Sequence, residues 1–228
     1  MTQYVCDFCK RQWAREKSFV NHSCEKKRRW WQKDQAHARF AFIAWKRFYE
    51  LNSFKHNTEF TSNYKNFIDS KFYNDFIKFG IHIRDLNALE PAKFIEYVLK
   101  SNLPISKWRQ DFVYEQYVRE LTHKETAEDA LTRNIMLMNE WSIQTGESWV
   151  DFFRKVNTNQ ATAWIRTGRI SPWVLYNTDS SVEFLERCTS EQLSMIKEYA
   201  NPSSWKIKFN KNADSCNFIR KTLKESGM

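Results

Sequence analysis

A chain of 228 residues, 42% hydrophobic and 16% aromatic, has enough apolar surface for one full-sized core with a small module attached, which excludes a disordered chain. No run of about 18 apolar residues spans a bilayer and no apolar segment behind a basic start marks the N-terminus, so a soluble, intracellular protein without a membrane partner is expected. The net charge of +9 is unevenly placed: residues 1–55 hold 13 Lys and Arg against 5 Asp and Glu, a net +8, and the rest hold 23 against 22. Such asymmetry suggests a polyanion-facing end on a neutral body, or else a merely solvated end.

The chain opens with YVCDFCKRQWAREKSFVNHSCEKKRRWW, residues 4–31. Cys6 and Cys9 are two residues apart, the spacing of a tight knuckle that turns both thiolates towards one ion. His22 follows after twelve residues and Cys24 after one more, so four donors can close a tetrahedral site. An odd number of cysteines without a secretion signal argues against disulfides, and the separate Cys188 and Cys216 read as small buried thiols.

Tyr4, Trp13 and Phe19 are the bulky positions of a φ-x-C-x2-C-x3-φ-x5-φ-x2-H pattern, φ being apolar. In this the stretch resembles the C2H2 zinc finger, a ββα unit whose small core is those residues and whose fold depends on the metal. The resemblance implies a structural Zn2+ held by Cys6, Cys9, His22 and Cys24, as a C2HC variant. Residues two apart do not face each other on a helix, so the helix through Ser18–His22 is expected to unwind at Ser23 for Cys24 to turn back.

Lys10, Arg11, Arg15 and Lys17 on this unit, and Lys26, Lys27, Arg28 and Arg29 after it, are candidate nucleic-acid contacts. A single finger reads only about three base pairs, which favours phosphate contact over sequence reading. Trp30 and Trp31 read either as platforms for unpaired bases or as the start of the core.

Only four glycines and four prolines punctuate the chain, roughly two to four times fewer than average usage, and this favours long helices. From Asp34, the spacing of Ala36, Phe40, Ile43, Ala44, Phe48 and Leu51 predicts a helix buried on that face. Phe72, Phe76, Phe79, Ile83 and Leu86 predict a second, and Pro91 opens a third that carries Phe94, Ile95, Val98 and Leu99. Pro104 marks a boundary before a fourth, with Trp108 and Phe112 running to Leu121. Thr126 caps a fifth along Ala127, Leu131, Ile135, Met138 and Trp141, which ends at Gly146.

Trp149, Phe152, Phe153 and Val156 follow. Thr189 to Gln192 forms a capping box ahead of Leu193, Ile196 and Ala200, and Asp214 is placed to cap a last helix that buries Ile219 and Leu223. The segment AxxWIRTGRIS within residues 157–178 resembles the helix-turn-helix of excisionase-like proteins, which would free Asn159, Arg166 and Arg169 for a nucleic acid. The alternative there is a loop anchored by Trp164 and Trp173, with Pro172 starting the next helix.

No phosphate loop, dinucleotide fingerprint, H-E-x-x-H or G-x-S-x-G is present, and His37, His56, His82 and His123 stand apart, each a surface or packed histidine. Glu125, Glu128 and Asp129 fit a helix start, where the dipole favours them. The fold expected is mainly α: a small ββα finger with basic extension over residues 1–30, then a single all-α domain over 31–228. The function expected is non-catalytic binding of DNA or RNA in transcription or replication, with no small-molecule substrate. The alternative is an adaptor or assembly factor whose finger docks onto a protein partner. The chain as a whole resembles small accessory proteins of large tailed phages.

Overall fold

The computed structural model describes the backbone of residues 4–56 and 63–228, and the side chains of residues 4–52 and 63–228. His56, singled out above, therefore has its side chain outside the described residues. The protein is mainly α, with one two-stranded sheet among the described residues. It divides into two compact units, residues 1–113 and 114–228.

The first unit begins with β1 (Tyr4–Val5) and β2 (Gln12–Trp13), antiparallel with Tyr4 opposite Trp13. Then come α1 (Glu16–Val20), α2 (Glu25–Trp31), α3 (Ala36–His56), α4 (Tyr64–Asp69), α5 (Tyr73–Asp85) and α6 (Pro91–Lys100). Pro91 occupies the first turn of α6, where its missing N–H is no loss. Phe76, Phe79, Ile83, Phe94, Ile95 and Val98 are all buried, as their spacing predicts.

The buried face of α3 differs from the periodic reading. Ile43 and Leu51 are exposed, whereas His37, Ala38, Ala41, Ala44 and Trp45 are buried. The reason lies in α5: a Cβ on Gly80 would meet the His37 carbonyl oxygen at 2.0 Å and the Ala41 nitrogen at 3.0 Å. Backbones this close leave room only for small side chains, so the seam selects alanines over the larger Ile43 and Leu51. Beside the seam an unbroken set of ring contacts fills the unit. Phe67 packs on Phe42, Trp45 and Tyr73, and Trp108 packs on Phe48, Phe76 and Phe79.

Trp108 does not belong to the fourth predicted helix. It ends a 3-10 turn (Ile105–Lys107) and donates its indole N–H to the Leu103 carbonyl at 2.9 Å. The helix itself, α7 (Asp111–Lys124), starts later and leaves Phe112 exposed.

The second unit contains α8 (Ala127–Thr145), α9 (Phe152–Lys155), α10 (Thr158–Arg166), α11 (Pro172–Leu175), α12 (Ser180–Arg187), α13 (Ser190–Tyr199), α14 (Pro202–Lys211) and α15 (Ala213–Glu225). Thr126 caps α8 by accepting from the Asp129 N–H, and Gly146 ends it at φ +75°, a left-handed turn that glycine adopts without strain. The capping box of Thr189 and Gln192 is present at α13. Asp214 is not the cap of α15: Asn212 holds that position and Asp214 sits in the first turn.

Residues 157–178 form two short helices, and the second, α11, is four residues long and wholly buried. The tryptophan-bearing helix is α10, which buries Ala161, Thr162 and Ile165 and leaves Asn159 and Arg166 exposed. Asn159 accepts from Gln192 Nε2 at 2.7 Å, and Arg169 pairs with Glu140 at 3.2 Å, so both serve the second unit's own packing.

Glu125 also differs from its sequence reading. Rather than lining a helix start in water, its carboxylate is 5% exposed and 2.6 Å from Arg133, and it accepts from Ser171 Oγ at 2.6 Å. Burial pushes its pKa above the usual 4.5, outweighing Arg133, Ser171 and Lys208, which act in the opposite direction. A carboxyl raised in the folded state contributes stability below its unfolded pKa and loses it as pH rises through the folded value. Glu125→Gln is therefore expected to flatten the fall in the second unit's stability as pH rises above 4.5. Urea denaturation at stepped pH checks this, and an unchanged slope in the variant would show that burial does not shift the carboxyl.

Candidate metal centre

The finger region builds its site from three short pieces. The hairpin of β1 and β2 is closed by Cys6 N–H donating to the Arg11 carbonyl at 3.0 Å and Lys10 N–H to the Cys6 carbonyl at 2.8 Å. Lys10 turns the corner at φ +60°, in the left-handed region. This knuckle directs Cys6 and Cys9 to the same side. Tyr4 stacks on Phe19 at 5.8 Å, Phe19 meets Trp13 at 5.9 Å, and Trp13 packs on the His22 ring at 4.2 Å. The three aromatic positions of the pattern thus form the small core that orients His22.

α1 ends at Val20, before His22, and a single turn follows in which His22 N–H donates to the Phe19 carbonyl at 3.0 Å. Cys24, in extended conformation, is the N-cap residue of α2. The unwinding required by an H-x-C spacing is present, and it begins earlier than Ser23.

The donor atoms of Cys6, Cys9, His22 and Cys24 all lie within 4.8 Å of one another, the sole cluster of this kind among the described residues. Cys6 Sγ is 4.0 Å from Cys24 Sγ, and Cys9 Sγ is 3.2 Å from His22 Nε2. Around a tetrahedral ion with metal–sulfur bonds of about 2.3 Å, two sulfurs sit roughly 3.8 Å apart, so three thiols and an imidazole at these separations fit a metal ion. Burial pushes the Cys6 thiol up, but N–H groups of Cys9 and Phe8 outweigh it and its pKa is lowered; burial raises that of Cys24.

Beyond the cluster, α2 divides its basic run between two faces. Lys26, Arg29 and Trp30, spaced by three and four, turn towards α4 and α5. Lys26 pairs with Asp69 at 2.7 Å, and Arg29 donates to the Ile68 carbonyl at 2.7 Å, pairs with Glu25 and lies over the Tyr73 ring at 4.2 Å. Trp30 packs between Phe8 and Tyr64, and Tyr64 donates to the Arg29 carbonyl at 3.3 Å. Lys27, Arg28 and Trp31 form the other face.

Of the eight basic residues singled out by sequence, Lys10, Arg11, Arg15, Lys17 and Arg28 are exposed. Arg11 lies over Trp13 at 5.6 Å, and Lys27, half-buried, donates to the His22 carbonyl at 3.3 Å. Lys26 and Arg29 are occupied in holding α2, a role that sequence spacing alone does not reveal because Asp69, Ile68 and Tyr73 lie some forty residues away.

Elsewhere, His37 is buried 3.4 Å from Arg84, His82 is partly buried, and His123 is exposed with its ring against Trp205. Cys216 is buried, and Cys188, half-buried, donates to the Phe184 carbonyl at 3.4 Å. A groove of about 240 Å3 is lined by Arg47, Glu50, Leu51, Glu96, Leu99 and Lys100, whose charges pair among themselves, Arg47 with Glu50 and Lys100 with Glu96. No helix among the described residues is long and apolar enough to cross a membrane. No family model, no curated protein and no solved structure matches this chain.

Proposed function

We propose that the cluster binds a structural Zn2+ as a C2HC finger and that the protein is a non-catalytic nucleic-acid-binding protein, contacting phosphates through the basic residues the finger and α2 leave free. Three thiolates and one imidazole are a soft, four-donor set that suits zinc and leaves no position open for a substrate. The metal then holds shape: it fixes the knuckle, His22 and the start of α2. The observation that carries the binding reading is the division of labour along α2. Three of its four cations, Lys26, Lys27 and Arg29, make internal contacts, while Arg28, together with Lys10, Arg15 and Lys17 on the finger, is exposed with no side-chain partner among the described residues.

Salt dependence of binding to short DNA and RNA tests this. Each phosphate contact contributes about 0.7 to 0.9 to the slope of log affinity against log salt. Alanine at Lys10, Arg15, Lys17 and Arg28 together is expected to flatten that slope by roughly 3 if all four contact phosphates. Arg29→Ala is expected to lower stability of the first unit far more than it changes the slope. Zinc-loaded protein that binds no nucleic acid at low salt would eliminate the reading.

A second reading, a finger that docks onto a protein, is favoured by Val5 and Val20, which the finger leaves exposed. Pull-down of a defined partner that is lost in Val20→Asp, with nucleic-acid binding absent, would select it.

A further inference from the structure

We infer that the ligand class of this surface is single-stranded nucleic acid, with Trp31 as the platform on which a base stacks; the inference rests on the nucleic-acid reading above and narrows it. Adjacent tryptophans on α2 have opposite fates. Trp30 is packed by Phe8 and Tyr64, whereas Trp31 is 60% exposed. The exposed indole stands on the face that carries Lys27 and Arg28. Lys27 Nζ lies 5.0 Å from the centre of the Trp31 ring, so a cation and an aromatic surface are already juxtaposed.

That pairing matches a nucleotide with its base free: the π-face of the base meets the indole, and the neighbouring phosphates meet Lys27 and Arg28. A paired duplex keeps its bases stacked on each other and offers no face to a ring on the outside. Nor is there an element suited to a duplex groove in the finger, since α1 has five residues and at 1.5 Å per residue spans only about 7 Å.

The platform is also held in place. Lys26, Arg29 and Trp30 fasten the opposite face of α2 to α4 and α5, and Cys24 joins its start to the metal cluster. Little ordering remains to be done when a strand binds, which favours affinity from a small contact.

Fluorescence anisotropy with labelled oligo-dT, oligo-U and a DNA duplex of the same length, on the zinc-loaded full chain, tests the inference. Expected is at least roughly tenfold tighter binding to a single strand than to the duplex, with Trp31→Ala losing about five- to a hundredfold at an unchanged salt slope and Trp31→Phe retaining most of the affinity. The two single strands show whether ribose or deoxyribose is preferred. Equal binding of strand and duplex, or a neutral Trp31→Ala, overturns the stacking site while leaving phosphate binding intact. No binding to any of the three removes both readings together.

Discussion

Chelating the ion proposed for the Cys6, Cys9, His22 and Cys24 cluster, or replacing Cys9 by Ser, is expected to unfold residues 4–24 while α2 remains on α4. Neither β1 nor β2 exceeds two residues, and α1 buries none of its side chains fully. An isolated five-residue helix is far below the length at which helices persist in water. The three-ring core of Tyr4, Trp13 and Phe19 is only half-buried, leaving Cys6 as the one buried side chain among the described residues of the finger. Binding of the proposed ion would then supply almost the whole of the folding free energy of this segment, on the order of 10 kcal/mol or more.

The second half of the expectation follows from the contacts of α2. Cys24 is lost as a ligand, but Lys26–Asp69, the Arg29 contacts and the Trp30–Tyr64 packing involve no metal ligand. Hydrogen exchange separates the two regions: amides of Cys6 and Lys10 lose protection on chelation, and those of the last turn of α2 keep it. Protection of Cys6 and Lys10 that survives chelation would mean that the hairpin stands without an ion.

Gly80→Ala is expected to destabilise the first unit by about 3 kcal/mol or more, large for the addition of one methyl group. On most helices Gly→Ala is stabilising, because alanine has the higher propensity. Here the added carbon would fall 2.0 Å from the His37 carbonyl oxygen and 3.0 Å from the carbonyl carbon of His37 and the nitrogen of Ala41, all backbone atoms that cannot rotate away. α3 and α5 would have to separate, opening the seam of Ala38, Ala41 and Ala44 and the ring contacts beside it. Gly146→Ala serves as the comparison, since it has a left-handed φ of +75° with open space around it. Its cost is expected to be about 1 kcal/mol. Urea denaturation of both variants decides: if Gly80→Ala is the milder, the close approach of the two helices is not real.

What the sequence determined by itself was local. The spacing of Cys6, Cys9, His22 and Cys24 with Tyr4, Trp13 and Phe19 was enough to place a Cys/His cluster able to hold a metal and its aromatic support, since every member lies within 21 residues. Helix ends at Pro91, Thr126, Gly146 and Thr189 were legible for the same reason, because a cap acts on backbone groups three or four residues away. The tertiary structure alone decided which face each helix buries. Periodicity weights large apolar side chains and so placed Ile43 and Leu51 inside α3, whereas Gly80, forty residues on, selects small ones. Asp69, Ile68 and Tyr73 likewise divide an unbroken KKRRWW run into a fastened face and a free one. Burial turns Glu125 from a dipole partner into an internal ion pair and makes α11, the helix that Pro172 starts, part of the core. In each case the deciding partner is distant in the chain, and no local pattern encodes where a distant backbone will come to rest.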